Sequence, residues 1–422
     1  MTSNQQELIA RAQKVMPAGG FGNFDPGIVI REGHGSHVWD EDGNEYIDYL
    51  IGSGPMLLGH GHPEVLEAVQ AQFGKGMTFF ASNAHGIELA EAICDAMACA
   101  DQVRFVSTGS EADMFAMRLA RAYTGRDKIM KFEGGYHGMS SEGQMSLAPE
   151  TLVNFPLAVP DSAGLPDSVR DEMLIAPYND IAFARSLIAE HGKDIAAIIV
   201  EPLQRIIPPA PGFLQALREE CTRHGIVLIF DEVVTGFRLA YGGAQEFFGV
   251  VPDVCTLGKV IGGGFPLAAI AGKADIMAHF DKSKVGADGF LMQVGTLSGN
   301  PVAAVAGLKT MEILRRPGQY EKLRASGEKL MAGISDTMDK AGQAHRISGF
   351  PCMFDVVFTD SEIRDYRDVV KGDAKKAATL NSELRKNRIL KSPSKIYMSL
   401  AITEDDIDAT VQAYAEAVEA LT

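Results

Sequence analysis

Near the start of the chain, Leu8, Ile9, Ala12 and Val15 recur at helical spacing and stop at Pro17 and Gly19–Gly20, predicting an opening helix. In Ser36–Leu50, SHVWDEDGNEYIDYL, alternating apolar positions flank Asp42-Gly43, the pattern of an antiparallel hairpin. From about residue 85 to 275 the pattern changes. Short apolar runs at Gln102–Ser107, Lys128–Phe132, Ile195–Val200, Ile226–Phe230 and Asp253–Leu257 alternate with helical stretches such as Glu111–Tyr123 and Phe213–His224. Runs that are apolar on both faces suit a parallel sheet covered by helices on both sides, so this block predicts a doubly wound α/β unit. Beyond about residue 310 a helical stretch at Ala325–Ala341, strands at Cys352–Phe358 and Lys395–Leu400, and a last helix follow. That helix carries Ile407, Val411, Val418 and Leu421 on one face and opens with Thr403-x-x-Asp406. The expected division is 1–50 for the N-terminal helix and hairpin, 51–308 for the large α/β domain and 309–422 for a small α+β domain.

With 46% hydrophobic and 22% charged residues over 422 positions, the chain has the composition of a globular protein, which excludes disorder. The 39 Lys+Arg against 55 Asp+Glu leave a net charge of −16, which disfavours a nucleic-acid partner. The opening segment lacks a basic stretch followed by an apolar one, and the longest apolar runs fall short of the roughly 18 residues a membrane helix needs. A cytoplasmic protein with no membrane partner is expected. Cys94, Cys99, Cys221, Cys255 and Cys352 contain no C-x-x-C pair, which argues against a disulfide framework or a zinc site.

In open α/β sheets ligands bind beyond the carboxyl ends of the strands. Four segments place polar residues there. Phe105–Ala112, FVSTGSEA, runs from strand into helix, where backbone N–H groups would hold an anion; a plain helix cap by Ser/Thr with Glu111 is the competing account. Asp231 ends the apolar IVLIFDE and either meets a cation or caps a turn. Lys259, between an apolar strand and three glycines, is a candidate Schiff-base nucleophile, although a lysine is more commonly a solvated surface residue. Val260 after it excludes a Walker A loop. In KFEGGYHG, Tyr136 could stack on a planar ligand or simply pack in a turn. A phosphate cradle, a stacking aromatic, a carboxylate and a lysine are jointly what pyridoxal phosphate requires.

Val103–Gly138, Asp231–Arg238 (DEVVTGFR), Thr256–Gly264 (TLGKVIGGG) and Gly295–Pro301 (GTLSGNP) resemble the class III, fold-type I pyridoxal-phosphate aminotransferases, most nearly glutamate-1-semialdehyde aminomutase and the β-amino-acid aminotransferases. The resemblance runs from Val38–Tyr49 through the last helix. It implies a mainly parallel, seven-stranded sheet flanked by helices. It makes Lys259 the Schiff-base lysine and proton carrier, and Asp231 the partner of the pyridine nitrogen. Thr108, Gly109 and Ser110 would hold the phosphate, Tyr136 would stack on the ring with His137 beside it, and Val233 would pack on the opposite face. Glu201 opens the EPLQ segment whose Gln204 would reach the ring hydroxyl. Thr296 would reach the phosphate of a neighbouring subunit, implying a homodimer with shared sites.

Three places depart from the aminomutase pattern: a short loop at Gly19–Gly27, Ser53 where a tryptophan is usual, and Ser399–Thr403, SLAIT. All lie on the family's substrate side, so the chemistry is expected to be kept and the substrate changed. Arg205 stands where glycine is common in the family and could clamp a substrate carboxylate, against a surface or interface ion pair. Arg238 has the same two readings. Phe24, with Phe21 and Phe79, could line an apolar side of the pocket. The expected activity is ping-pong transfer from an amine or a β- or ω-amino acid to a keto acid or aldehyde. An aminomutase-like isomerase and an amino-acid racemase are the alternatives.

Overall fold

The computed structural model describes residues 3–421. Seven strands form the central sheet: β1 (Gln102–Val106), β2 (Lys128–Phe132), β3 (Met173–Ala176), β4 (Ile195–Val200), β5 (Val227–Asp231), β6 (Val254–Leu257) and β7 (Ala268–Gly272). Their order is β1-β7-β6-β5-β4-β2-β3. All neighbours are parallel except β7, which runs antiparallel to both β1 and β6.

The two-residue period of a strand divides the core. In β4, Ala197 and Ile199 join a cluster with Ala116, Met117 and Ala120 of the helix Gly109–Thr124. Ile198 and Val200 join the opposite cluster, with Phe213 and Leu217 of the helix Phe213–His224 and Ala303 of Pro301–Leu314. Both sheet faces are thus covered by helices, as wholly apolar strands require. This second cluster continues without a break through Ile334, Phe354, Leu384 and Tyr414, so the C-terminal part is packed directly onto the large sheet.

The hairpin forms as expected, with His37–Asp40 paired to Glu45–Asp48. Asp40 accepts the N–H groups of Asp42 (3.0 Å) and Asn44 (2.8 Å) and so shapes the turn. Its second strand also pairs in parallel with Ile389–Leu390, which joins the N-terminal segment to the C-terminal one. The last helix spans Glu404–Val418 behind the capping box of Thr403 and Asp406. Two expectations are corrected. The strand expected over Lys395–Leu400 contracts to Ile396–Tyr397. The helix expected from Ala325 begins at Gln319. Residue 308 lies inside the continuous, largely buried helix Pro301–Leu314.

Candidate active site

The carboxyl ends of β1, β2, β4, β5 and β6 converge on a cavity of about 340 Å3. Ser107, Gly109 and Ser110 come from the end of β1, Tyr136 and Gly138 from the turn after β2, and Glu201 from the end of β4. Asp231 and Val233 come from β5 and Lys259 from β6, with Pro55 and Phe265 closing the wall.

At the β1 end, Thr108 caps the sixteen-residue helix Gly109–Thr124. Its hydroxyl accepts the Glu111 N–H at 3.1 Å, and the Glu111 carboxylate accepts the N–H groups of Ser107 (3.0 Å) and Thr108 (2.9 Å). The hydroxyl of Thr108 is therefore occupied by capping, and its side chain is absent from the cavity wall. Gly109 and Ser110 stand first in the helix, where N–H groups have no intrahelical acceptor and the helix dipole favours an anion. Close packing fixes this cradle. A Cβ on Gly109 would lie 2.9 Å from Val233 Cγ1, and one on Gly138, whose φ is +76°, would lie 2.5 Å from Ser110 Cα. Ser110 Oγ accepts the Met139 N–H at 3.2 Å, which ties the Tyr136 turn to the helix.

At the floor, Asp231 is 4% exposed and His137 1%. Asp231 Oδ2 lies 2.8 Å from His137 Nδ1, and Oδ1 accepts the Val233 N–H at 3.1 Å. Below it is a second carboxyl: Thr256 donates to Asp113 Oδ1 at 2.6 Å and lies 3.5 Å from Asp231 Oδ1. Burial, then the Asp231 charge, holds the Asp113 carboxyl well above the usual carboxylate range. Asp113 was not among the expected residues. The signal was an aspartate set in the apolar helix stripe of Ala112, Ala116 and Met117, all buried.

Lys259 faces Asp231 from the loop after β6, with φ +47°. Burial lowers its amine's affinity for a proton; Tyr397, Asp231 and Glu201 oppose this and Lys395 adds to it. Glu201 accepts the Tyr136 N–H at 2.9 Å. Gln204 is buried behind the turn, donating to the Glu133 carbonyl at 2.8 Å.

The residues of the expected substrate side are less gathered. Arg205 lies over the Tyr136 ring, 4.9 Å from its centroid, and no ion pair is made by it among the described residues. Arg238 likewise lacks the expected salt bridge. It is buried, donates to the carbonyls of Gly54, Val234 (3.2 Å) and Met398 (3.4 Å), and covers the Tyr397 ring. Ser53 is exposed with φ +66°, two residues from the cavity-lining Pro55. Phe24 stands apart: its ring packs with Val38, Tyr46 and Leu390 beneath Arg385, because an apolar ring gains more in that cluster than in a polar cavity. Thr296 is exposed and does not line the cavity of its own chain.

This donor set fits pyridoxal 5′-phosphate. An anion cradle, an aromatic ring at Tyr136, an apolar side chain at Val233, a buried carboxylate and an amine of lowered basicity all border one space.

Residues 22–418 match the model of the class-III aminotransferases. The chain is 39% identical to glutamate-1-semialdehyde 2,1-aminomutase 2 of Brevibacillus brevis, covering 98% of this chain and 97% of that protein. It is similar to the crystal structure of an omega-transaminase from Sphaerobacter thermophilus, with TM-score 0.92, 34% identity and coverage of 99% and 97%. It is also similar to a beta-phenylalanine aminotransferase from Variovorax paradoxus, with TM-score 0.87, 32% identity and coverage of 99% and 94%. Both transaminase structures share the fold-type I architecture of this sheet. Matched over nearly its whole length, the chain belongs to the class-III aminotransferases, enzymes that work with pyridoxal 5′-phosphate.

Proposed function

We propose that this enzyme moves an amino group from an amine or a β- or ω-amino acid to a keto acid or aldehyde in a ping-pong cycle. The first product leaves before the acceptor enters. The observation that carries this reading is Lys259 and Asp231 in one cavity of a chain related to an omega-transaminase and a beta-phenylalanine aminotransferase.

When bound, the cofactor would supply an electron sink for a substrate that gives up a proton. Lys259 would hold the cofactor, and its amine would take and return the substrate's proton. Its reduced basicity suits the task. Asp231 keeps the pyridine nitrogen protonated, and His137 fixes the Asp231 carboxylate in place. Gly109 and Ser110 would hold the phosphate, and Tyr136 and Val233, which line the same cavity, would pack on the ring. Glu201 and Gln204 set the turn that carries Tyr136.

The enzyme acts as a homodimer in which Thr296 completes the neighbouring subunit's phosphate site. Phe80, Ile87 and Val294 support this: all are exposed, on a cleft of about 870 Å3 that also takes in Gly295 and Ser298. Contiguous exposed apolar surface of this kind is what a partner subunit covers. The cytoplasm is the compartment in which its five unpaired cysteines would stay reduced. No described helix is long and apolar enough to cross a membrane.

The test is the visible spectrum of the purified holoenzyme while α-, β- and ω-amino donors are titrated without acceptor. Bleaching of the cofactor band with about one oxo product released per site is the expected result. An isomerase is the second reading, favoured by the 39% identity to an aminomutase. It would show spectral change without a released product, and that outcome overturns the transaminase reading.

A further inference from the structure

The segment after β4 grips the turn after β2. Glu201 accepts the Tyr136 N–H at 2.9 Å, the Gln204 amide donates to the Glu133 carbonyl at 2.8 Å, and Arg205 Nε donates to the Gly134 carbonyl at 3.2 Å. From another side Arg367 donates to both oxygens of the Glu133 carboxylate, at 2.7 and 3.0 Å, and a Cβ on Gly134 would lie 2.6 Å from Tyr366 Cβ. The backbone that carries Tyr136 is thus fixed, but none of these bonds reaches its half-buried ring. Among the described residues the Tyr136 hydroxyl makes no hydrogen bond and no second aromatic ring meets it; the charged group that lies over the ring is the Arg205 guanidinium, 4.9 Å from the centroid.

Arg205 reaches that ring from a strained backbone. Gln204 and Ile207 exchange both of their backbone hydrogen bonds, at 3.1 and 2.8 Å, so Arg205 and Ile206 are the two central residues of a tight turn. The first central residue of such a turn takes a positive φ and is commonly glycine. Arg205 has φ +61°, which glycine adopts freely and arginine does not. The turn is anchored: Ile206 is buried, and its carbonyl accepts the Ser348 hydroxyl at 2.7 Å. No carboxylate among the described residues pairs with the guanidinium, so an ion pair does not account for an arginine in this place. Strain that the surroundings enforce, at a residue whose side chain reaches an active-site group, points to a role for that contact.

Tyr136 lines the active-site cavity and Arg205 does not. The guanidinium therefore braces the ring from outside the space a ligand would enter. A cation over an aromatic face shifts an equilibrium by roughly a factor of two to five where water has access, and by more where it is excluded. A planar guanidinium also stacks on a ring in a way that an ammonium does not. A ring held before the ligand arrives loses less freedom when the ligand binds.

We propose that Arg205 is a positioning residue for the cofactor: its guanidinium holds the Tyr136 ring ready to pack on the cofactor ring, and the strained turn keeps the arginine there. This role rests on Tyr136 packing on the cofactor and is independent of which amino group is transferred.

The test is a double-mutant cycle read as the dissociation constant of pyridoxamine 5′-phosphate from the apoenzyme, since that form binds without a bond to Lys259. Arg205→Gly should weaken binding about fivefold in the parent and equally in Tyr136→Phe, which keeps the ring, but should have no effect in Tyr136→Leu, which removes it. Arg205→Gln, planar but uncharged, should weaken binding as Arg205→Gly does, and Arg205→Lys should fall between. Thermal melting reports whether each variant is folded; glycine fits the Arg205 backbone, and the glutamine and lysine variants carry the test if Tyr136→Leu does not fold. A merely structural arginine would weaken binding by the same factor whichever residue stands at 136, and that result overturns the proposal. Parent-like affinity in Arg205→Gly or Arg205→Gln, with Tyr136→Leu impaired, overturns it as well. If Tyr136→Leu itself binds as the parent does, the packing of Tyr136 on the cofactor falls and the proposal with it. Because the cycle needs no turnover, a failure to release product from amino donors would sink the transaminase reading and leave this result standing.

Discussion

His137 Nδ1 lies 2.8 Å from Asp231 Oδ2, with both side chains almost wholly buried. The carboxylate is thus held by an imidazole and by the Val233 N–H, and it borders the cavity. A rigid, desolvated carboxylate is suited to holding a proton on a ring nitrogen, since charge interactions strengthen where water is excluded.

Asp231→Asn keeps the shape and removes the charge. Because the side chain then no longer holds the ring nitrogen protonated, kcat/KM should fall at least a hundredfold, about 2.7 kcal/mol of transition-state stabilisation. The fold should survive. Steady-state kinetics with any accepted donor checks this, and a rate near the parent's would show that Asp231 is not what keeps the ring nitrogen protonated.

Lys259→Ala should leave a folded protein and lower turnover at least a thousandfold, about 4 kcal/mol. The φ of +47° is disfavoured equally for lysine and alanine, so the backbone gains no new strain. Loss of an amine whose burial already lowers its basicity is likewise no threat to stability. Added methylamine should restore part of the rate by replacing the missing base. Unimpaired turnover would show that the proton is carried elsewhere.

The neighbouring carboxyl gives a pH-dependent prediction. Thr256 has one hydroxyl proton for two buried acceptors, Asp113 and Asp231, so the pair avoids two adjacent charges when Asp113 stays protonated. A carboxyl whose folded-state affinity for a proton is raised favours the fold below its unfolded range, and that support is lost as pH rises through the folded value. Asp113→Asn mimics the neutral acid at every pH. Its melting temperature should therefore match the parent near pH 4 and exceed it increasingly toward pH 9. A variant less stable at all pH values would mean that Asp113 works as a carboxylate.

Asp231 and Lys259 were legible as polar residues ending apolar strands, and both reach the cavity, as does Glu201, which only the family resemblance pointed to. The missing strands fail for a physical reason. β7 reads AAIAG, whose small side chains carry almost no β signal and whose pairing is enforced from both sides by β1 and β6. β3 has only four residues, MLIA. Arg205 was visible as an arginine in a glycine's place, and its φ of +61° explains why glycine suits that position. Phe24 could not be placed from its loop, because the residues it packs against, Val38, Tyr46 and Leu390, lie outside that loop and in part far along the chain.

Lys131 sits under the turn that carries Tyr136 and His137, its amine between the carbonyls of Gly135 and Gly143. Burial lowers its affinity for a proton to about 7, with Glu201 and Asp161 opposing. A neutral amine has two N–H groups, enough for both carbonyls, so deprotonation keeps the bonds and removes the desolvated charge. Between pH 7 and about 10 the unfolded chain binds a proton at this lysine that the folded chain does not, and stability from this group rises with pH across that window. Lys131→Met removes the titration and both donors. The variant should lose cofactor affinity through a loosened turn, and its stability deficit against the parent should widen from pH 7 to pH 10. Denaturant unfolding of the two proteins across that range reads the difference, in which all other titrating groups cancel. A deficit that is constant with pH would mean that Lys131 stays charged in the folded enzyme.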